Sequence, residues 1–344
     1  MTKNDRARPN RHSLYPDWST LVYAFEGTNL QSAPEKRELL GLVHQAADGA
    51  NLCLSFAHLL ELLLGADAAE RRLRAQWLDS LRVVWLHDLD AVRQLELDRF
   101  LRKSAGHPVG PLKIPAAPSF LSTFPLTVAA LPEVLRQGDV ASVERHLGDD
   151  ERIRRRIDKL RALGPTFYQR LFADRKLTQR NLSEDELRTA LKAKLDGAVK
   201  GEALVRNQQL ATRDPTYCIR KGILWVPPDD EFVTSVMRPL DEIRNDLPSV
   251  FVFFQAIWNA GSIAGRKEHV STKFFKSSDR ESDVFDWWHL LGAAYCDVFI
   301  CDAYTSTCLG DARARLGRSK EIVYRSGDVG RLIQDIRAAL SVDL

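Results

Sequence analysis

Apolar positions recur at helical spacing from about Pro34 to Ala47, where Leu39, Leu40, Val43 and Ala47 share one face and predict a helix. Two short apolar runs of a different kind flank it. Ser13–Tyr15 and Leu52–Ser55 are too brief for helices and read as short buried strands. Phe56–Leu64 sets Leu59, Leu60, Leu62, Leu63 and Leu64 around a single charge, Glu61, the pattern of a buried helix carrying one acid. Ala68–Ser104 predicts one or two further helices. Pro108, Gly110, Pro111, Pro115 and Pro118 then interrupt regular structure.

From about Ala129 to Gln209 the pattern is helical and highly charged, with a capping-box signature at Ser183 and Glu186. Ile223–Val226 and Val250–Phe254 are β-branched and aromatic, and predict strands. Beyond them the chain alternates: helix at Val284–Ala294, strand at Val298–Cys301, short helix at Ala312–Gly317, strand at Glu321–Tyr324, helix at Val329–Leu340. That alternation predicts an α/β unit with parallel strands. The expected organisation is therefore an α/β domain whose first part spans residues 13–104 and whose C-terminal part spans 266–344. A large, mainly helical and basic insertion, 105–265, separates them. No internal repeat is visible.

Length and charge sharpen this picture. At 344 residues the chain exceeds the roughly 100–200 typical of one domain, in keeping with an insertion. Its 44% hydrophobic and 28% charged content excludes a disordered or collagen-like protein. The five cysteines, Cys53, Cys218, Cys296, Cys301 and Cys308, form no CxxC pair, so they indicate neither a disulfide framework nor a thiolate zinc site. No apolar stretch approaches the roughly 20 residues of a membrane span, and residues 1–12 read as a disordered basic arm without an apolar signal core. The expected location is the cytoplasm, with no membrane partner. Net charge is only +3, but residues 151–221 hold 18 Lys or Arg against 9 Asp or Glu, a local balance of +9, and the remainder sums to −6. Such a distribution suits a polyanion-binding surface joined to a part that concentrates carboxylates.

Charged side chains in apolar surroundings are costly unless paired or bound to a cation, so isolated acids mark candidate chemistry. Four stand out. Asp17 is the only charge between Arg11 and Glu26; Glu61 lies in an apolar helix; Asp286 precedes His289 by three residues; Asp302 directly follows a strand. Ligands of parallel α/β sheets bind beyond the carboxyl ends of strands, where Asp302 falls and where Asp17 falls if Ser13–Tyr15 is a strand. Converging carboxylates need a compensating divalent cation, and hard oxygen ligands select Mg²⁺ or Mn²⁺. Such a centre suits phosphodiester hydrolysis.

These residues resemble the PIN-domain nucleases. The family pattern of an acid, any residue and then Ser, Thr or Asn after the first strand is matched by Asp17, Trp18 and Ser19. Its acid in an apolar helix is matched by Glu61 in LSFAHLLEL, and its last two acids by Asp286 and Asp302 in DWWHLLGAAYCDVFICDA. That final stretch is the most specific and is similar to longer bacterial PIN-like proteins. Pro16, standing where the family has an apolar strand residue, predicts a short first strand. The resemblance covers roughly residues 13–100 and 270–340. It implies a Mg²⁺- or Mn²⁺-dependent endonuclease acting on nucleic acid, RNA favoured over DNA. Asp17, Glu61, Asp286 and Asp302 would hold metal, with His289 steadying the site. It also implies an inhibitor or antitoxin-like protein as a further partner.

Within the basic middle, Arg152, Arg154, Arg155, Arg156 and Lys159 are candidate phosphate contacts, as are Lys273 and Lys276 ahead of Asp286. Each acid also has a structural alternative. Asp17 suits an N-cap, Glu61 a buried partner for Arg71 or Arg72, Asp286 a helix start, and Asp302 the opening of a turn before Tyr304. Asp283 and Asp297 read as solvent-facing, and Glu96 as a weaker candidate site acid. Two functional alternatives follow. One is a PIN-like binding module without activity; the other is an HD-type phosphohydrolase built on His87, Asp88 and His58.

Overall fold

A computed structural model describes residues 12–49, 51–65, 67–87, 89–104, 108–117, 139–151, 155, 242, 244–253, 255–256, 259, 283–318, 320–324 and 328–341. The arm before His12, the capping box at Ser183 and Glu186, and the strand expected at Ile223–Val226 lie outside these residues. Five parallel strands form one sheet: β1 (Leu14–Tyr15), β2 (Leu52–Leu54), β3 (Val83–Trp85), β4 (Val298–Asp302) and β5 (Lys320–Tyr324). Their order is β3-β2-β1-β4-β5. Helices α1 (Trp18–Glu26), α2 (Pro34–Asp48), α3 (Phe56–Leu64), α4 (Ala68–Ser80) and α5 (Leu89–Ser104) precede α6 (Val140–Leu147). α7 (Asp283–Tyr295), α8 (Ala303–Leu309), α9 (Ala312–Arg315) and α10 (Val329–Ser341) complete the described helices. The α/β class expected from the alternation is thus present, and no described helix is long and apolar enough to cross a membrane.

Pro16 ends β1 after two residues, since a proline has no N–H to give the ladder. Pairing nevertheless continues at its start. Leu14 N–H donates to Asn51 O at 2.8 Å and Val298 N–H donates to Ser13 O at 2.9 Å. Asp297 reinforces this end, accepting from both the N–H and the hydroxyl of Ser13 and pairing with Arg318 at 2.9 Å. Burial works against its charge, but these donors prevail and hold the carboxyl below its usual range. Asp297 is therefore a half-buried clamp between β1 and β4, not the solvent-facing residue expected.

Alternation along the strands divides the interior into two cores. Leu14, Leu52, Leu54, Val298 and Ile300 face a core shared with α2, α3, α6 and α10. Tyr15, Cys53, Phe299 and Cys301 face the other, built with α5, α7 and residues 247, 250–253 and 256. Arg313 lies buried in that second layer. It donates to the carbonyls of Ala293, Cys296 and Asp297 and stacks over Phe299 at 5.4 Å, so the last turn of α7 is capped from a distance.

The structure also departs from the sequence reading at particular elements. β3 interrupts the segment expected to be wholly helical at Ala68–Ser104. Residues 250–253 of the predicted strand Val250–Phe254 are helical instead, within a helical run at 248–253. Pro248 occupies its first position, and Phe251 N–H donates to Leu247 O at 2.9 Å. Buried all round, this run shows no period by which a helix could be told from a strand. Both described flanks of the segment read as 105–265 pack onto the sheet-bearing body. Arg71, 1% exposed, donates to Glu144 of α6 at 3.1 Å and to Gly148 O at 3.2 Å, and pairs with Asp149 at 2.7 Å. On the other side Asp246 pairs with Arg99 at 2.9 Å and Lys103 at 2.8 Å.

Glu96 fixes the 248–253 run. Fully buried, it accepts from Ser249 N–H at 2.8 Å, Val250 N–H at 3.4 Å and the Tyr295 hydroxyl. Burial pushes its carboxyl up from 4.5 to about 7, against the pull of these donors. The folded chain therefore holds this proton more tightly than the unfolded chain. Its contribution makes stability fall as pH rises from about 4.5 to about 7, by about 1.4 kcal/mol per pH unit. Glu96→Gln should remove that component of the slope while lowering stability throughout. Urea unfolding of both proteins across this window checks it, and parallel slopes would refute the assignment.

Candidate functional site

The strand order turns back at β1: β2 and β3 follow on one side, β4 and β5 on the other. A crevice between the carboxyl ends of β1 and β4 is the place where parallel sheets of this kind hold ligands. Tyr15 is paired with Phe299, so the residues leaving the sheet there are Asp17 after β1 and Asp302 at the end of β4. One strand over, β2 leads through Ser55 into α3, which carries Glu61.

Each acid is placed by a local cause. Asp17 caps α1, accepting the N–H of Thr20 at 2.9 Å and the Thr20 hydroxyl through the same oxygen. Burial, with the negative charge of Glu61 adding to it, pushes the Asp17 carboxyl up to about 6 in spite of the Thr20 bonds. Asp302 caps α8 by accepting Thr305 N–H at 2.6 Å and is otherwise exposed. The N-cap alternative foreseen for Asp17 is therefore realised, whereas Asp302, foreseen as opening a turn before Tyr304, caps a helix. The alternative foreseen for Glu61 is not realised, because Arg71 is taken by Glu144 and Asp149. Instead Glu61 meets His289 of α7, whose Nε2 is 2.8 Å from its carboxylate.

Behind the acids lies a buried polar chain that the sequence reading missed. His289 Nδ1 is 2.9 Å from the Tyr15 hydroxyl, which is 2.6 Å from Ser55 Oγ. Ser55 caps α3 by accepting Ala57 N–H, and its own N–H donates to His58 Nδ1 at 3.1 Å. The other nitrogen of His58 reaches Pro16 O at 2.8 Å. Burial and the neighbouring His289 hold the His58 imidazole well below its usual range, so it is neutral, with its hydrogen given to Pro16. His58 thus ties the peptide ahead of Asp17 to the start of α3. The available signal was Ser55-x-x-His58, a capping box with histidine in place of the usual Glu or Gln.

The structure accordingly pairs Glu61 with His289 and leaves Asp17 within reach of their charges, without a direct bond to either. Asp302 shares the edge; burial, with the charges of Glu321, Asp302 and Asp17 adding to it, holds the neighbouring Cys301 thiol above its usual range. Asp286 lies on α7 one turn before His289, and its side chain is outside the described residues. Among the described residues no three His, Cys, Asp or Glu side chains gather into a metal-holding group. Asp17, Glu61 and Asp302 each retain one carboxylate oxygen without a hydrogen bond among the described residues.

Other candidates fall elsewhere. Glu96 meets Tyr295 at the end of α7 that leads into β4, the opposite edge of the sheet. Arg155 is exposed and pairs with Glu151 at 2.8 Å within one helical turn, an interaction worth little. Arg152, Arg154, Arg156, Lys159, Lys273 and Lys276 lie outside the described residues, as does Asp88. Both ring nitrogens of His58 are engaged by backbone, which leaves it none for the metal that an HD-type centre requires. No family model, curated protein or solved structure matches this chain.

Gly292 of α7 makes the Tyr15 position possible, since a Cβ there would stand 2.3–2.4 Å from the tyrosine ring. Gly292→Ala should destabilise the fold by about 1–3 kcal/mol, despite alanine's higher helix propensity. Thermal melting checks this; a variant as stable as wild type would show that Tyr15 can move aside.

Proposed function

We propose that the chain is a PIN-like, metal-dependent endonuclease that hydrolyses phosphodiester bonds, with single-stranded RNA the favoured substrate. The observation carrying this reading is the placement of acids at the carboxyl edge where the strand order turns back: Asp17 directly after β1, within electrostatic reach of Glu61 on α3, and Asp302 at the end of β4. The unengaged oxygens of Asp17, Glu61 and Asp302 are hard donors of the kind Mg²⁺ or Mn²⁺ takes, and Asp286, a turn before His289, would complete the set. When bound, such an ion supplies an activated water and balances charge on the leaving oxygen.

The chain's own residues do the rest. Thr20 and Thr305 hold one oxygen of Asp17 and Asp302 in place, and the other oxygen of each has no hydrogen bond among the described residues. His289 does the same for Glu61. Asp302, exposed at the rim, lies on the side from which a polymer would approach. Contact with the backbone is assigned to Arg152, Arg154, Arg155, Arg156, Lys159, Lys273 and Lys276, which position without reading sequence.

One observation favours the second reading, a binding module without activity: Asp17 and Asp302 already serve as helix caps, work that needs no chemistry. Asparagine caps helices as well as aspartate, so Asp17→Asn with Asp302→Asn keeps the caps while removing two charges. The double variant should lose Mn²⁺-dependent cleavage of single-stranded RNA by on the order of a hundredfold or more, with little change in melting temperature. Undiminished cleavage would sink the nuclease reading. RNA binding without chelator-sensitive cleavage in the wild type would select the second.

The raised Asp17 carboxyl adds a pH signature. Below about 6 this acid is protonated, and a cation must displace that proton. Mn²⁺ affinity should therefore be flat well above this value and fall about tenfold per pH unit below it. Asp17→Asn should flatten the slope. Calorimetric titration across this range tests it; an unchanged slope in the variant would assign the proton elsewhere.

A further inference from the structure

With a neutral imidazole at its centre, the chain Ser55–Tyr15–His289–Glu61 runs in one sense only. Its last member is a carboxylate, which accepts and cannot donate, so His289 Nε2 carries the hydrogen at that 2.8 Å contact. A neutral ring then has a bare Nδ1, so the Tyr15 hydroxyl donates across 2.9 Å. With its hydrogen used there, Tyr15 accepts from the Ser55 hydroxyl across 2.6 Å. Ser55 in turn accepts Ala57 N–H at the start of α3. Running the chain backwards would need hydrogens on both nitrogens of His289. Burial holds the Tyr15 phenol well above its usual range, so it remains a donor.

We infer that Tyr15 and Ser55 are positioning residues that act on Glu61 through His289, fixing the ring as its Nε2–H tautomer. Glu61 thereby gives one oxygen to the imidazole and keeps the other for the ligand of the site. The packing supports a fixed chain. Tyr15 is fully buried, its ring lies against His58 at 4.8 Å and His289 at 5.7 Å, and Gly292 closes its far side. His289 reaches Glu61 from α7 and Ser55 reaches Tyr15 from α3, so the two helices are registered to each other across β1. Outer groups of this kind set both the orientation of a ligating residue and its basicity.

The assignment of Glu61 as a metal-holding acid rests on the function proposed above; the tautomer does not. Nitrogen-15 NMR of the metal-free full chain at mildly alkaline pH should show His289 with hydrogen on Nε2 and a bare Nδ1. In Tyr15→Phe, which keeps the ring and removes only the donor, the signature should shift to a mixture of tautomers. Mn²⁺ affinity should drop about tenfold, with stoichiometry retained. A hydrogen on Nδ1 in the wild type overturns the inference even if the variant fails to fold, as does a wild-type tautomer in Tyr15→Phe. If the tautomers come out as expected but the wild type binds no Mn²⁺, the positioning of Glu61 stands and the metal reading fails.

Discussion

A phenol buried at the centre of a sheet must find partners for its hydroxyl, and that requirement organises the edge of this molecule. Leaving such a group unsatisfied costs roughly 1–3 kcal/mol, comparable to a large core mutation. Tyr15 meets the requirement with Ser55 from one helix and His289 from another. The strand that carries it is only two residues long, so side-chain bonds do what a longer ladder would otherwise do. Around this point β1 is fixed at one end by Asp297 and at the other by His58 through the Pro16 carbonyl. The acids at the edge inherit their positions from that arrangement.

Much of the fold was legible because its elements carry a period. The C-terminal alternation gave α7, β4, β5 and α10 nearly to the residue, and the run of leucines gave α3 with its lone acid. β3 was hidden because three half-buried residues at a sheet edge have neither a period nor a continuous apolar signal. The run at 248–253 was mistaken for a strand because its cap, Glu96, lies some 150 positions away. A helix stabilised by a distant carboxylate announces itself in no local window.

The site divides along the same line. The types of its residues were legible: isolated acids after strands and in an apolar helix, and a histidine one turn from Asp286. The cap at Asp17 could be read as well, with Thr20 three residues on, whereas Asp302 read only as the opening of a turn. The partner of Glu61 could not. Arg71 and Arg72 were nearer in sequence, and only the pairing of Arg71 with Glu144 and Asp149 shows why the acid turns to an imidazole on α7. The buried hydroxyls behind it are ordinary residues in the sequence, informative only once β1 is known to lie between β2 and β4.

The anchorage of the two flanks carries a consequence for the architecture. α6 packs into the layer with α3 and α4, whereas residues 247, 250–253 and 256 belong to the layer with α5 and α7, on the opposite face of the sheet. The two described flanks therefore stand on opposite sides of the sheet. Two helices separated by a sheet have axes about 20 Å apart, the reach of at least about six extended residues. A shortened chain that keeps both anchors must span that gap, so a tight turn joining residue 151 directly to 244 could not close it. Removing the basic middle is a question of bridging the molecule's thickness, not of trimming a loop.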